Sequence, residues 1–158
     1  MQHLKHAFYI FLLGLPNMAM AQDLSADQIK IMTHIEREAR EQGVPRELAL
    51  AYGEVETMFK DKRSGRSYGP LQVDKSSVPP DQHKLVPLLN WNVKKGIAIL
   101  KANLIRTKGH AEKARYMYVC GRLYNRSCSK EKIRLIKNRW SSVASKWEVK
   151  NVYQQFSF

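Results

Sequence analysis

The chain has 158 residues and a formal charge of +13, from 27 lysines and arginines against 14 acids. That length is enough for one domain with a real core, and so large a basic excess favours a polyanionic partner or surface over a solvating role alone. The two cysteines, Cys120 and Cys128, have no histidine near them and do not make a zinc set, so neither a metal nor another cofactor is expected.

The first residues read as a secretory signal. Met1 to His6 carries Lys5 and no acid, Ala7 to Leu15 is apolar, Pro16 breaks that run, and Ala19-Met20-Ala21 has the small-x-small pattern of a cleavage site. The apolar run is far shorter than the ~20 residues that span a bilayer. Cleavage is expected after Ala21, leaving a single domain from Gln22 to Phe158; an uncleaved membrane anchor is the alternative. An exported, periplasmic protein without stable membrane insertion follows, and export turns the basic charge away from nucleic acid toward the anionic polymers of the cell envelope. In an oxidising compartment an even cysteine count favours a disulfide between Cys120 and Cys128, closing a small loop around Leu123 to Arg126.

Ser25 followed by Gln28 is a capping-box pattern, with Leu24 and Ile29 placed for a hydrophobic staple. Met32, Ile35 and Ala39 continue at helical spacing and Gly43 can end this first helix. Pro45 opens a second helix to about Phe59, with Leu48, Tyr52, Val55 and Phe59 on one stripe. Lys60 to Pro80 is rich in glycine, serine and proline and reads as a loop with a small irregular β-hairpin around Tyr68 to Val73. Asn90 or Asn92 can cap a third helix to about Arg106, with Val93, Ile97, Leu100 and Leu104 inward. A fourth spans about Ala111 to Tyr124. The last, about Ser129 to Lys150, carries Ile133, Ile136, Trp140, Val143 and Trp147 as a core stripe. The fold class is therefore α+β, mostly helical with a minor β element.

The second helix holds Glu47, Glu54 and Glu56. At about 100° per residue the first two point away from the apolar stripe, whereas Glu56 falls at its edge beside Tyr52, Gly53 and Ala49. A half-buried carboxyl beside apolar groups is disfavoured in its charged form, which suits a general acid near neutral pH. A solvated face residue is the plain alternative.

Four segments in order resemble the soluble, goose-lysozyme-like lytic transglycosylases. Gly43-Val44-Pro45 through Glu54-Val55-Glu56-Thr57 is similar to the family helix that begins near a proline and ends in a Glu-Ser pair. Ser64-Gly65-Arg66-Ser67-Tyr68-Gly69-Pro70-Leu71-Gln72-Val73 resembles a segment ending Gly-Leu-Met-Gln-hydrophobic. Asn92-Val93 with Gly96 and Leu100 is similar to the third motif, and Tyr118-Val119-Cys120-Gly121 falls where the family has Tyr-Asn-Ala-Gly. Pro70, Thr57, Val119 and Cys120 depart from the pattern.

The resemblance implies a lysozyme-like fold and cleavage of the MurNAc–GlcNAc β-1,4 bond in peptidoglycan glycan strands without water. Glu56 would protonate the leaving oxygen and then take a proton from the sugar's 6-hydroxyl, closing a 1,6-anhydro ring. One switching carboxyl replaces the usual glycosidase pair, and Asp61 and Asp74 read as turn or surface residues. Tyr118 would orient Glu56. Thr57, Ser64, Tyr68, Gly69 and Gln72 would serve the sugar groove, and Trp91 would be a buried helix-start residue or a sugar platform. A small monomer of this kind is similar to members that open the wall for a secretion or conjugation apparatus. A glycan-binding or assembly module with weakened catalysis, a hydrolytic lysozyme and a basic exported nucleic-acid binder are the rival readings. The last is disfavoured because its basic residues form no single stripe.

Overall fold

Ser25 starts α1 (Ala26–Gln42) as its sequence predicts: the Ser25 hydroxyl accepts from the Gln28 N–H and the Gln28 side chain accepts from the Ser25 N–H. Gly43 ends it in the left-handed region at φ 68°, and the N–H groups of Gly43 and Val44 close on Arg40 and Ala39. This computed structural model describes residues 24–121 and 128–151. The expected signal segment and its cleavage site after Ala21 therefore lie outside the described residues.

Pro45 caps α2 (Arg46–Thr57). Leu48 through Gly53, with Val55 and Thr57, are buried. A helix apolar almost all round belongs inside the protein, and α2 lies against both α1 and the last helix. Its end differs from the expected run to Phe59. Met58 and Phe59 both sit at positive φ, 56° and 59°, and their N–H groups turn back to Glu54 and Gly53. This tight stop drives the Phe59 ring into the core, where it meets Trp147 edge-on at 6.2 Å.

Three two-residue strands follow: β1 (Arg63–Ser64), β2 (Ser67–Tyr68) and β3 (Val73–Asp74). They pair antiparallel in the order β1-β2-β3, with Tyr68 opposite both Arg63 and Val73. So short a sheet needs outside support. Val73, Val78 and Val86 form a small apolar cluster beneath it, with Tyr68, Trp91 and Ile99 packed alongside. Trp91 is half-buried against this cluster. Two 3-10 turns, Lys75–Ser77 and Pro80–Gln82, carry the chain onward.

The third helix, α3 (Leu89–Arg106), is capped by Leu88 and not by Asn90 or Asn92. Asn92 is fully buried, and its amide instead donates to the Tyr68 and Val86 carbonyls at 2.6 and 3.1 Å. α4 (Ala111–Cys120) is shorter than its apolar pattern predicts, and the stretch toward Tyr124 falls outside the described residues. Cys120, at its end, is disulfide-bonded to Cys128, with 5.7 Å between the Cα atoms. Ser129 then caps α5 (Lys130–Lys146), whose Trp140 is buried while the rest of its expected stripe is half-buried.

The helix contacts run in a circuit, α1 to α2 to α5 to α4 to α3 and back to α1. The main core lies within it and includes Ile35, Leu48, Leu50, Tyr52, Ile97, Leu100 and Trp140. The architecture is mostly helical α+β. No described helix is long and apolar enough to cross a membrane.

Candidate functional site

A cleft of about 230 Å³ opens between the C-terminal ends of α2 and α4 on one side and the hairpin on the other. Glu56, Tyr118 and Val119 line the helical side; Ser67, Gln72, Asp74 and Ser77 line the other, with Ile99 of α3 also at the wall. Of the residues expected to serve a sugar groove, Glu56, Gln72 and Tyr118 are therefore brought together.

Glu56 is placed by α2. Its side chain is 16% exposed, so it is half-buried as its position at the stripe edge predicts. The surroundings differ from those expected. Tyr52 is fully buried in the core and forms no wall of the cleft; its ring meets Tyr118 and Trp140 edge-on at 5.0 and 5.2 Å. The space above Gly53 is filled by Ile35 and Phe59. Glu54 does not face open solvent either, because it accepts from Lys146 Nζ at 2.8 Å and from Trp147 Nε1 at 2.6 Å, tying α2 to α5.

The principal partner of Glu56 is one that sequence reasoning missed. The Arg115 guanidinium donates from one terminal nitrogen to Glu56 Oε1. The Arg115 side chain is only 6% exposed and stacks 5.2 Å over the Tyr52 ring. No local pattern singles out Arg115, which is buried within α4 beside Ala111, Ala114, Tyr116 and Met117.

Tyr118 donates to the Leu71 carbonyl at 2.7 Å and not to Glu56. It therefore fastens α4 to the loop ahead of β3. Burial, then the nearby Glu56 charge, pushes its phenol well above the ordinary range, so it remains a protonated donor and no base.

The other expected residues take supporting places. Thr57 is 3% exposed and is not part of the cleft lining. Its hydroxyl donates to the Pro70 carbonyl at 2.9 Å and accepts from Lys60 N–H at 3.1 Å, bolting the end of α2 to the hairpin. Ser64 is exposed on β1, outside the cleft lining, where Ser67 stands instead. Tyr68 is half-buried between two cations, Arg63 and Lys75, at 5.0 and 5.1 Å from its ring. Gly69 is buried at φ 73°, where an added Cβ would sit 2.2 Å from the Asn92 amide. That close approach is what the glycine provides. Gln72 holds φ 49°, and its amide donates to the Lys62 and Gly69 carbonyls at 3.0 and 2.8 Å.

Asp74 is the second carboxyl at the cleft, although sequence reasoning left it as a turn residue. It does both things, since its Oδ1 also accepts from the Ser76 N–H, the Ser76 hydroxyl and Arg66. Burial pushes its carboxyl up, but those hydrogen bonds and the Arg66 charge together outweigh burial and hold it below the usual range.

The arrangement offers one half-buried carboxyl paired with a buried arginine, a second carboxylate held by hydrogen bonds and several neutral polar groups facing a shared space. Compared with known proteins, the chain matches no family model, no curated protein and no solved structure.

Proposed function

We propose that this protein is an exported peptidoglycan lytic transglycosylase acting on glycan strands in the periplasm. The observation that carries the reading is Glu56 on a buried helix, facing a cleft whose other wall is the hairpin. The order of the four sequence segments supports it: Glu56, Gln72 and Tyr118, from three of them, line that cleft, and Asn92 of the remaining one bonds to the Tyr68 carbonyl.

In the proposed reaction Glu56, protonated, gives its proton to the oxygen leaving from the MurNAc–GlcNAc bond. The carboxylate then accepts the proton of the MurNAc 6-hydroxyl as that oxygen closes on C1. The carboxyl is restored at the end, and no water is consumed. The basic surface would help hold an anionic wall polymer. A role in opening the wall for a secretion or conjugation apparatus belongs to the same reading and rests on the family resemblance alone.

Digestion of purified peptidoglycan by wild type and Glu56→Gln, with product masses, tests this. Wild type is expected to release 1,6-anhydro-MurNAc ends, and Glu56→Gln to lose at least about 1000-fold of the rate while staying folded. Equal activity in the two would sink the assignment. Asp74 favours a second reading: a carboxylate on the far side of the cleft is where a hydrolase would hold its water. Reducing MurNAc ends, in place of anhydro ends, would select that reading.

A further inference from the structure

We infer that Arg115 is a positioning residue for Glu56, holding the carboxylate that exists between the two proton transfers. The inference rests on the proposed glycan cleavage and adds to it a component that neither the chain's motifs nor the expected mechanism contains.

Three observations converge. Arg115 donates to Glu56 Oε1 across 59 positions of sequence, joining α4 to α2 at the cleft. Its side chain is 6% exposed, too buried for a surface ion pair of little consequence. Its Nε has no hydrogen-bond partner among the described residues, so the guanidinium is not placed here to satisfy its own donors. A buried arginine with an unpaired donor is costly to keep. Tyr52, itself fully buried, places its ring face 5.2 Å from the guanidinium carbon.

The reaction creates the demand that this arrangement meets. A single-carboxyl mechanism puts a full negative charge on Glu56 once the leaving oxygen has its proton, and that charge disappears when the 6-hydroxyl proton is taken up. A fixed cation beside the carboxylate stabilises this intermediate state without itself moving a proton. The planar fork also fixes which Glu56 oxygen is engaged, leaving the other for the sugar. Other titratable groups near Glu56 are Tyr52 on α2, Tyr118 on α4 and Asp74 on β3. None is a cation, and the two phenols stay protonated, so among these described residues the positive charge beside Glu56 comes from Arg115.

Steady-state kinetics on purified peptidoglycan, using full-length processed protein, tests the inference with Arg115→Met and Arg115→Lys. Arg115→Met is expected to lose about 100-fold in kcat with KM within about twofold, and Arg115→Lys to recover about tenfold of that loss. A role in folding alone would move both variants together, lowering thermal stability and the amount of active enzyme without rescue by lysine; that pattern overturns the inference. So does Arg115→Met with wild-type kcat. If Arg115→Met does not fold, Arg115→Lys decides: a tenfold lower kcat at unchanged KM supports the role, and wild-type kcat overturns it. A wild type inert on peptidoglycan removes the parent reading and this one with it, whereas an active wild type matched by Arg115→Met removes this one only.

Discussion

The two walls of the cleft are built on different principles. The helical wall is α2 and α4, with Glu56 and Tyr118 on the cleft face and Tyr52 packed against Tyr118, Arg115 and Trp140. Its geometry is held by core packing, which tolerates little displacement. The opposite wall is three two-residue strands whose first member is fully exposed. It rests on the small Val73, Val78 and Val86 cluster and is tied to the helices by a few long-range hydrogen bonds: Thr57 to Pro70, Asn92 to Tyr68, and Tyr118 to Leu71. Chemistry that needs a carboxyl fixed within a fraction of an ångström belongs on the first wall. On the proposed reading, contacts to a glycan strand fall to the second.

That contrast fails first, if it fails, where the hairpin is bolted to α3. Gly69→Ala places a Cβ at φ 73° and within 2.2 Å of the Asn92 amide. Asn92 must move and give up its bonds to Tyr68 and Val86. The expected loss is about 3 kcal/mol of stability, combining left-handed strain with a displaced buried amide. Urea unfolding of wild type and variant measures it. A loss below about 1 kcal/mol would mean that the hairpin wall is not held by this bolt.

A smaller effect is expected on the rigid side. Tyr118→Phe removes the donor to the Leu71 carbonyl and leaves a buried acceptor unmatched, at about 1 kcal/mol. Because the phenol lies well above its ordinary range, it does not titrate while the cleft works. The variant should therefore keep the shape of the wild-type rate profile between pH 6 and 9 while losing rate uniformly. A limb of the profile that vanishes with the hydroxyl would show Tyr118 exchanging protons, contrary to its place here.

The same contrast explains what the sequence made legible. The ends of α1 were readable because Ser25, Gln28 and Gly43 act on backbone groups within a few residues. Glu56 was readable as a stripe-edge residue because helical periodicity is local. Asn92 was misread as a cap because its partners, Tyr68 and Val86, lie outside its own helix. Thr57 and Ser64 were expected at the groove, yet one is buried and the other exposed, both outside the cleft lining; their hydroxyls carry no local sign of direction. Arg115 was not visible at all, since its meaning lies wholly in a partner on another helix. The packing of α4 against the rest of the core creates that pair, and no spacing within α4 encodes it.

The least effect is expected at Asp74, on the hairpin wall. Its folded carboxyl titrates below the ordinary range, so it contributes stability that is present above the unfolded value, near pH 4, and is lost as pH falls through the lower folded value. The side chain is 40% exposed, so solvent screening limits the contribution to roughly 0.5 kcal/mol. Asp74→Asn should remove that share at pH 7 and become nearly equal to wild type once pH has fallen below the folded value, as urea midpoints along an acid series would record. Activity sharpens the same comparison. If Asp74 only fastens the turn through Ser76 and Arg66, Asp74→Asn keeps the anhydro product and most of the rate. Should the rate instead fall as far as in Glu56→Gln, the hairpin wall would carry chemistry too, and the cleft would belong to a two-carboxyl hydrolase.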